Sequence, residues 1–168
     1  MFFPILLVVL SASLAYGLKS WHKKQRKAPT LRNLRRFLAQ LPPPPAYLRQ
    51  AGESEVEEWL FRQLQKHFVQ VQTQYPVAGP QSRRERVDID LGDGQLGIEI
   101  KMAEMLRKGN ERNRFLGQIE LYRQRRYGEG QLLVILFGPA ALAQEPSVQE
   151  VITILAHKKV GLHFIYAS

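Results

Sequence analysis

The chain contains no cysteine, which excludes disulfide bonds, thiolate zinc sites and cysteine nucleophiles. Its first 50 residues contain no Asp or Glu either, although they hold nine basic side chains. The other 15 basic residues and all 15 acidic residues lie after position 50, so that part is formally neutral. The net charge of +9 therefore belongs to the N-terminal part. A basic segment of this kind favours contact with lipid headgroups, or alternatively with nucleic acid.

An uncharged, mostly apolar run extends from Phe2 to Leu18, at the short end of the length that spans a hydrocarbon core of ~30 Å. The small residues Ser13 and Ala15 also resemble a signal-peptide cleavage site. However, no positive charge precedes the run, whereas a basic cluster begins at Lys19. By the positive-inside rule, we expect residues 1–18 to be an uncleaved transmembrane signal-anchor helix, with a single pass and a cytoplasmic C-terminal domain.

Residues 19–52 are expected to form a basic, proline-containing stalk beside the membrane. Pro42–Pro45 cannot continue a helix and favour a stiff extended segment. Before them, residues 31–41 have a short amphipathic pattern with three arginines on the polar side. This segment either lies flat on the membrane or packs on the domain as an ordinary helix, and the sequence leaves both interpretations open.

Residues 53–168 have the composition and length of one domain, since the chain is 45% hydrophobic. Apolar residues at a spacing of four predict a helix from Glu53 to Phe68. Alternation predicts strands at 69–75, 86–91 and 96–101, the last two joined by a turn at Gly92–Gly94. After the hairpin, the sequence predicts a helix over 103–127, with weak points at Gly109 and Gly117. It then predicts a strand at 132–137, a helix at 148–156 and a strand at 160–166. This order predicts an α/β domain with a mixed central sheet flanked by helices.

Two charged pairs lie on the predicted hairpin. Asp88 and Asp90 alternate on one strand, and Glu99 and Lys101 alternate on the next, so each pair shares one face of its strand. Converging carboxylates attract a divalent cation, and a nearby lysine can orient a metal-bound water. A half-exposed antiparallel pair without any site displays the same alternation.

The residues around these pairs resemble a known family. The Asp and (Asp/Glu)-x-Lys elements of the PD-(D/E)xK nucleases resemble two stretches of this chain, Arg86–Leu91 and Ile98–Lys101. The spacing of ten residues between Asp88 and Glu99 is also similar. The usual Pro before the Asp is absent. The segment from Gln118 to Tyr122 resembles the QxxxY element of the RecB-like branch. The resemblance covers residues 53–168.

The resemblance implies a restriction-endonuclease-like αβββαβ core and an Mg²⁺ or Mn²⁺ site. Asp88, Glu99 and the backbone carbonyl of Ile100 would be metal ligands, and Lys101 would orient the attacking water. Gln118 and Tyr122 would border the same cleft, although a polar surface residue and a core tyrosine give the same pattern. Glu53 or Glu57, on the first helix, would be a further metal ligand. Ser54 and Glu57 also fit a capping box, in which Glu57 only satisfies backbone donors.

Four basic residues follow the predicted hairpin and are candidate phosphate contacts: Arg107, Lys108, Arg112 and Arg114. A solvated helix face is the alternative. The sequence therefore predicts a membrane-anchored, metal-dependent nuclease acting on DNA, with RNA as the other substrate. The alternatives are a catalytically idle nucleic-acid-binding or scaffolding domain of the same fold tethered at the membrane, and a plain protein-interaction domain.

Overall fold

The structure is a computed structural model that describes residues 27–78 and 85–167. The predicted anchor at residues 1–18 and the first part of the expected stalk lie outside the described residues. Across the ranges described, no helix combines the length and the apolar character needed to cross a bilayer.

The described part of the chain contains four α-helices and five strands. The helices are α1 (Leu31–Leu38), α2 (Glu53–Gln65), α3 (Gly109–Arg125) and α4 (Pro146–His157). The strands are β1 (Val71–Pro76), β2 (Arg86–Leu91), β3 (Leu96–Met102), β4 (Leu132–Gly138) and β5 (Gly161–Tyr166).

The strands form one mixed sheet in the order β1-β2-β3-β4-β5. The β1–β2 and β2–β3 pairs are antiparallel, and the β3–β4 and β4–β5 pairs are parallel. The predicted α/β class and mixed central sheet are thereby confirmed. The predicted hairpin is also confirmed, since Leu91 pairs with Leu96 around a turn in which Gly92, Asp93 and Gly94 all have positive φ.

Helix α1 belongs to the domain and not to a separate stalk. Thr30 caps the helix by accepting a hydrogen bond from the Asn33 N–H, and the opposite face buries Leu34, Phe37 and Leu38 in the core shared with α2. Upstream of α1, the Lys27 N–H donates to the His67 carbonyl at 2.9 Å. The described hydrophobic core therefore includes residues upstream of position 53.

The helix predicted over 103–127 is divided into two elements. A 3₁₀ turn over Ala103–Arg107 is followed by α3, and Lys108 between them has extended φ and ψ of −85° and 118°. The break therefore occurs beside Gly109, one of the two expected weak points. The other, Gly117, lies inside α3 without interrupting it.

Candidate functional site

Three polar side chains lie in a row across neighbouring strands. Because Thr73 pairs with Ile89 and Tyr75 with Val87, Gln74 lies opposite Asp88 between β1 and β2. The β2–β3 register, in which Ile89 pairs with Ile98, likewise places Asp88 opposite Glu99. We call Gln74, Asp88 and Glu99 the polar row. The antiparallel register of two strand pairs thus brings together residues that are far apart in sequence.

The regular β2–β3 ladder ends at Ile89, and the Asp88 side chain continues it. Oδ2 of Asp88 accepts a hydrogen bond from the Ile100 N–H at 2.7 Å. In an extended strand the N–H and C=O of one residue point to the same side, so the Ile100 carbonyl also faces β2. The carbonyl that the family resemblance implicates is therefore directed toward Asp88.

Glu99 is the residue of the row whose side chain lacks a hydrogen-bond partner on one oxygen. Its side chain is 6% exposed, and its Oε2 has no hydrogen-bond partner. Burial raises the pKa of Glu99 well above its ordinary value, and the charges of Asp88 and Glu53 raise it further. A hydrogen bond from the Asp88 backbone opposes this rise, but Oε2 itself has no donor, and a buried carboxylate oxygen without a partner calls for either a proton or a cation.

Asp88 is in a similar electrostatic position. Burial, together with the charges of Glu57 and Glu53, raises the pKa of Asp88 to about 7, against the opposing effect of the Ile100 N–H. Since the Asp88 charge in turn raises the pKa of Glu99, the two carboxylates of the row repel each other when both are ionised.

The N-terminal turns of α2 bring two more carboxylates to the row. Glu53 accepts from Lys101 Nζ at 2.9 Å, and Glu57 accepts from Gln74 Nε2 at 3.1 Å. Both glutamates that the sequence left as alternatives therefore lie at the site. The capping-box interpretation of Glu57 is wrong, because Gly52 is the N-cap without a side-chain hydrogen bond and Ser54 donates to Glu55 instead.

Gln74 is the site residue that sequence reasoning missed. Its side-chain amide also lies 3.4 Å from Asp88 Oδ1, so it connects Glu57 to Asp88. Its backbone has a φ of 51°, which is uncommon for a residue within a strand and turns it out of the regular pairing. In sequence, the alternation of Gln72, Thr73 and Gln74 is that of an ordinary solvent-facing strand, so it carries no signal of this role.

The carboxylate of Asp90 makes its hydrogen bonds outside the polar row. It is fully buried and accepts from the Gly94 N–H at 2.7 Å and from the Tyr127 hydroxyl at 2.8 Å. A Cβ on Gly97, the residue opposite Asp90, would approach the Tyr127 ring to 2.7 Å. Asp90 therefore stabilises the hairpin, and glycine at position 97 makes room for its partner.

The two α3 residues of the QxxxY-like element differ in placement. Tyr122 is buried, and its hydroxyl donates to the Arg86 carbonyl at 2.6 Å, two residues before Asp88. Burial raises the pKa of Tyr122, as do the nearby charges of Glu99 and Asp88. Gln118 is half-buried and makes no side-chain hydrogen bond to any other described residue. Tyr122 thus positions the start of β2, while Gln118 makes no side-chain hydrogen bond to the row.

The four candidate phosphate contacts also differ. Arg107 and Lys108 are exposed and make no ion pair with the described carboxylates. Arg112 instead pairs with Glu150 at 3.2 Å and donates to the Leu106 carbonyl, so its charge is used within the protein. Arg114 is exposed and lies 3.8 Å from Glu111. The arginines at the C-terminal end of α3 also have partners within the protein. Arg123 pairs with Glu120, Arg125 pairs with Glu85, and Arg126 donates to the Tyr75 hydroxyl.

The donor set of the row fits a hard divalent cation with few protein ligands. Among residues 27–78 and 85–167, no group of three or more His, Cys, Asp or Glu side chains is arranged to hold a metal ion. Mg²⁺, however, is commonly bound by one or two carboxylates together with water and substrate phosphate. Asp88, the unpartnered Oε2 of Glu99 and the Ile100 carbonyl are the groups that would supply such ligands here.

Comparison of the chain with protein-family models, with curated proteins and with solved structures found no match.

Proposed function

We propose that the protein is a membrane-anchored, metal-dependent nuclease that hydrolyses phosphodiester bonds. The observation that carries this proposal is the buried, unpartnered Oε2 of Glu99 beside Asp88, with Lys101 two residues further along β3. A site that keeps two repelling carboxylates in a buried position sacrifices stability. Such a cost is expected where the carboxylates serve to bind a cation.

The order of elements supports a restriction-endonuclease-like core. From α2 to β4 the chain follows the sequence helix, three strands, helix, strand, which is the αβββαβ order that the family resemblance implies. The Asp, the Glu and the Lys of the resemblance also lie at the end of the β2–β3 pair where the ladder opens. The proposed family and the geometry of the site are thus mutually consistent.

Each residue of the site has a role in this proposal. A bound Mg²⁺ or Mn²⁺ would lower the pKa of a coordinated water and stabilise the charge on phosphate oxygens. Asp88, Glu99 and the Ile100 carbonyl would hold it. Lys101, which Glu53 fixes at 2.9 Å, would orient the attacking water from the same face of β3 as Glu99.

Substrate and location follow from charge and sequence. The exposed Arg107 and Lys108, in the turn after β3, would be phosphate contacts, since neither forms an ion pair with a described carboxylate. We propose DNA as the substrate, with RNA as the alternative. The apolar run at 2–18 followed by basic residues supports a single-pass anchor with the domain in the cytoplasm.

The test is a cleavage assay on the full chain in detergent. End-labelled DNA and RNA, each single- and double-stranded, would be incubated with Mg²⁺, with Mn²⁺ or with EDTA. We expect cleavage that requires the metal and that Asp88→Asn abolishes. Binding without cleavage under every condition would replace the nuclease with the alternative proposal, an idle nucleic-acid-binding domain. Neither binding nor cleavage would point to a protein-interaction or scaffolding domain.

A further inference from the structure

Helix α1 presents three exposed arginines on the side opposite its buried face. Arg32, Arg35 and Arg36 are all exposed, and Leu34 and Phe37 on the other side are in the core. We call these three arginines the α1 arginine face. All 15 acidic side chains of the protein lie in the described ranges, and none of them forms an ion pair with this face. Its positive charge is therefore not neutralised by any acidic side chain.

The sequence beside α1 adds to the same charge. The segment that leads into the domain contains Lys19, Lys23, Lys24, Arg26 and Lys27 and no acidic residue. Lys27 is only nine positions after Leu18, the end of the apolar run, and a chain of that length reaches at most about 30 Å when fully extended. If the apolar run is in a bilayer, α1 must therefore lie close to the headgroups.

We propose that the α1 arginine face docks the domain on an anionic lipid surface, without insertion of the helix. This inference rests on the anchor in the proposed function and not on the nuclease activity. Insertion is excluded by packing, because Leu34, Phe37 and Leu38 are already buried in the domain core. What remains is an electrostatic contact between guanidinium groups and lipid phosphates or carboxylates.

The position of α1 in the fold favours lipid over nucleic acid as the partner. α1 packs on β5, where a Cβ at Gly161 would lie 3.1 Å from Leu31 Cδ1. β5 is one edge of the sheet, whereas the polar row lies on β1, β2 and β3 at the other side. Docking through α1 therefore leaves the row uncovered, while a nucleic acid bound to α1 would be held away from it.

The expected effect is salt-sensitive and large enough to measure. Each basic residue near an anionic membrane surface increases affinity about fivefold, so removal of three would weaken docking on the order of 100-fold. Salt at about 0.5 M shortens the screening length to a few ångströms and should have a similar effect.

The test measures the distance of α1 from the bilayer in the full chain. Because the protein has no cysteine, Gln40→Cys supplies a single labelling site at an exposed position two residues after α1. The labelled protein is reconstituted in nanodiscs of phosphatidylcholine alone or with about 30% phosphatidylserine. Energy transfer to an acceptor on the headgroups is then recorded in EDTA without nucleic acid, so nuclease activity has no influence. Sedimentation with vesicles of both compositions shows separately whether the anchor holds.

Two variants are compared with the parent protein. One combines Arg32→Gln, Arg35→Gln and Arg36→Gln, and the matched control removes three exposed charges elsewhere, through Arg62→Gln, Lys66→Gln and Lys159→Gln. We expect phosphatidylserine to increase energy transfer in the parent and in the control, and not in the α1 variant. Equal transfer in the two lipid compositions would overturn the proposal. So would a loss of DNA binding in the α1 variant with unchanged transfer, which would assign this face to nucleic acid.

Discussion

The Nζ of Lys101 lies 2.9 Å from Oε2 of Glu53, a residue 48 positions earlier in the chain. The same oxygen also lies 3.4 Å from the Met102 N–H, so Glu53 is bound to the end of β3 by two donors. The Lys101 side chain is only 13% exposed. This ion pair therefore fixes an ammonium group near the C-terminal end of β3, two residues after Glu99.

Lys101 is expected to be required for cleavage and dispensable for folding. Lys101→Ala should reduce the rate of cleavage by at least ~10², because a positioned proton-transfer group contributes at least that factor. Lys159→Ala is the matched control, since Lys159 also pairs with a glutamate but is exposed and far from the row in sequence. Rates from single-turnover assays and circular dichroism spectra of both variants would be compared. An unchanged rate for Lys101→Ala would remove this lysine from the site.

Gln74 is expected to matter for the site and little for stability. Gln74→Gly removes the hydrogen bonds to Glu57 and Asp88 but relieves the positive φ, so the unfolding free energy should stay within about 1 kcal/mol of the parent value. Cleavage should nevertheless fall about tenfold or more, with a higher Mg²⁺ requirement, because oriented ligand partners are worth 10–100-fold.

The matched control for Gln74 is Gln72→Gly, an exposed position on the same edge strand. That change should lower stability by about 0.5–1 kcal/mol, since glycine weakens an extended strand, and should leave the Mg²⁺ requirement unchanged. Equal Mg²⁺ titrations for the two variants would mean that Gln74 has only a structural role.

Arg107 and Lys108 are expected to provide phosphate contacts that Arg112 does not. Neutralising both should flatten the dependence of log affinity on log salt by about two units for duplex DNA, since each lost contact removes about 0.9. Arg112→Gln should instead lower stability, because it leaves Glu150 and the Leu106 carbonyl without their partner. Fluorescence anisotropy at several salt concentrations measures the slopes. A slope that changes only with Arg112 would reverse this assignment.

The metal-free protein should lose stability as the pH rises through the acidic range. The pKa of Asp88 is about 7 in the folded protein against an ordinary value of 3.8. The folded state therefore holds a proton that the unfolded state has released, and its stabilising effect is lost between about pH 4 and 7. In EDTA, the denaturation midpoint should fall across this pH range. The parent should lose about 1–3 kcal/mol more unfolding free energy than Asp88→Asn does. Parallel pH profiles for the two proteins would contradict the raised pKa.

The features that depend on local patterns could be predicted from the sequence. Alternation identified β2 and β3 almost to the residue, and the Gly92–Gly94 turn fixed their antiparallel pairing. With that pairing the structure places Asp88 opposite Glu99, the two carboxylates that the sequence assigns to neighbouring strands. The α/β class follows from the order of the elements.

The features that depend on contacts between distant residues could not be predicted from the sequence. Asp88 and Asp90 have the same local pattern, yet Asp90 is bound by Tyr127, a residue 37 positions away. Gln74 enters the row through a left-handed backbone conformation within a strand. Helix α1 has an amphipathic pattern that is equally suited to a membrane or to a domain core, and only the presence of a complementary core decides between them.

The most direct test of the central claim is the effect of Mg²⁺ on thermal stability in two variants of neighbouring aspartates. With a dissociation constant of ~1 mM, ~10 mM Mg²⁺ should stabilise the parent by about 1.4 kcal/mol, a rise of roughly 3–6 °C in melting temperature. Asp88→Asn should be slightly more stable than the parent without metal and should barely respond to Mg²⁺. Asp90→Asn should be less stable and should keep the full response, because Asp90 is bound to Gly94 and Tyr127. Equal responses of all three proteins to Mg²⁺, or none, would contradict a cation site at Asp88 and Glu99.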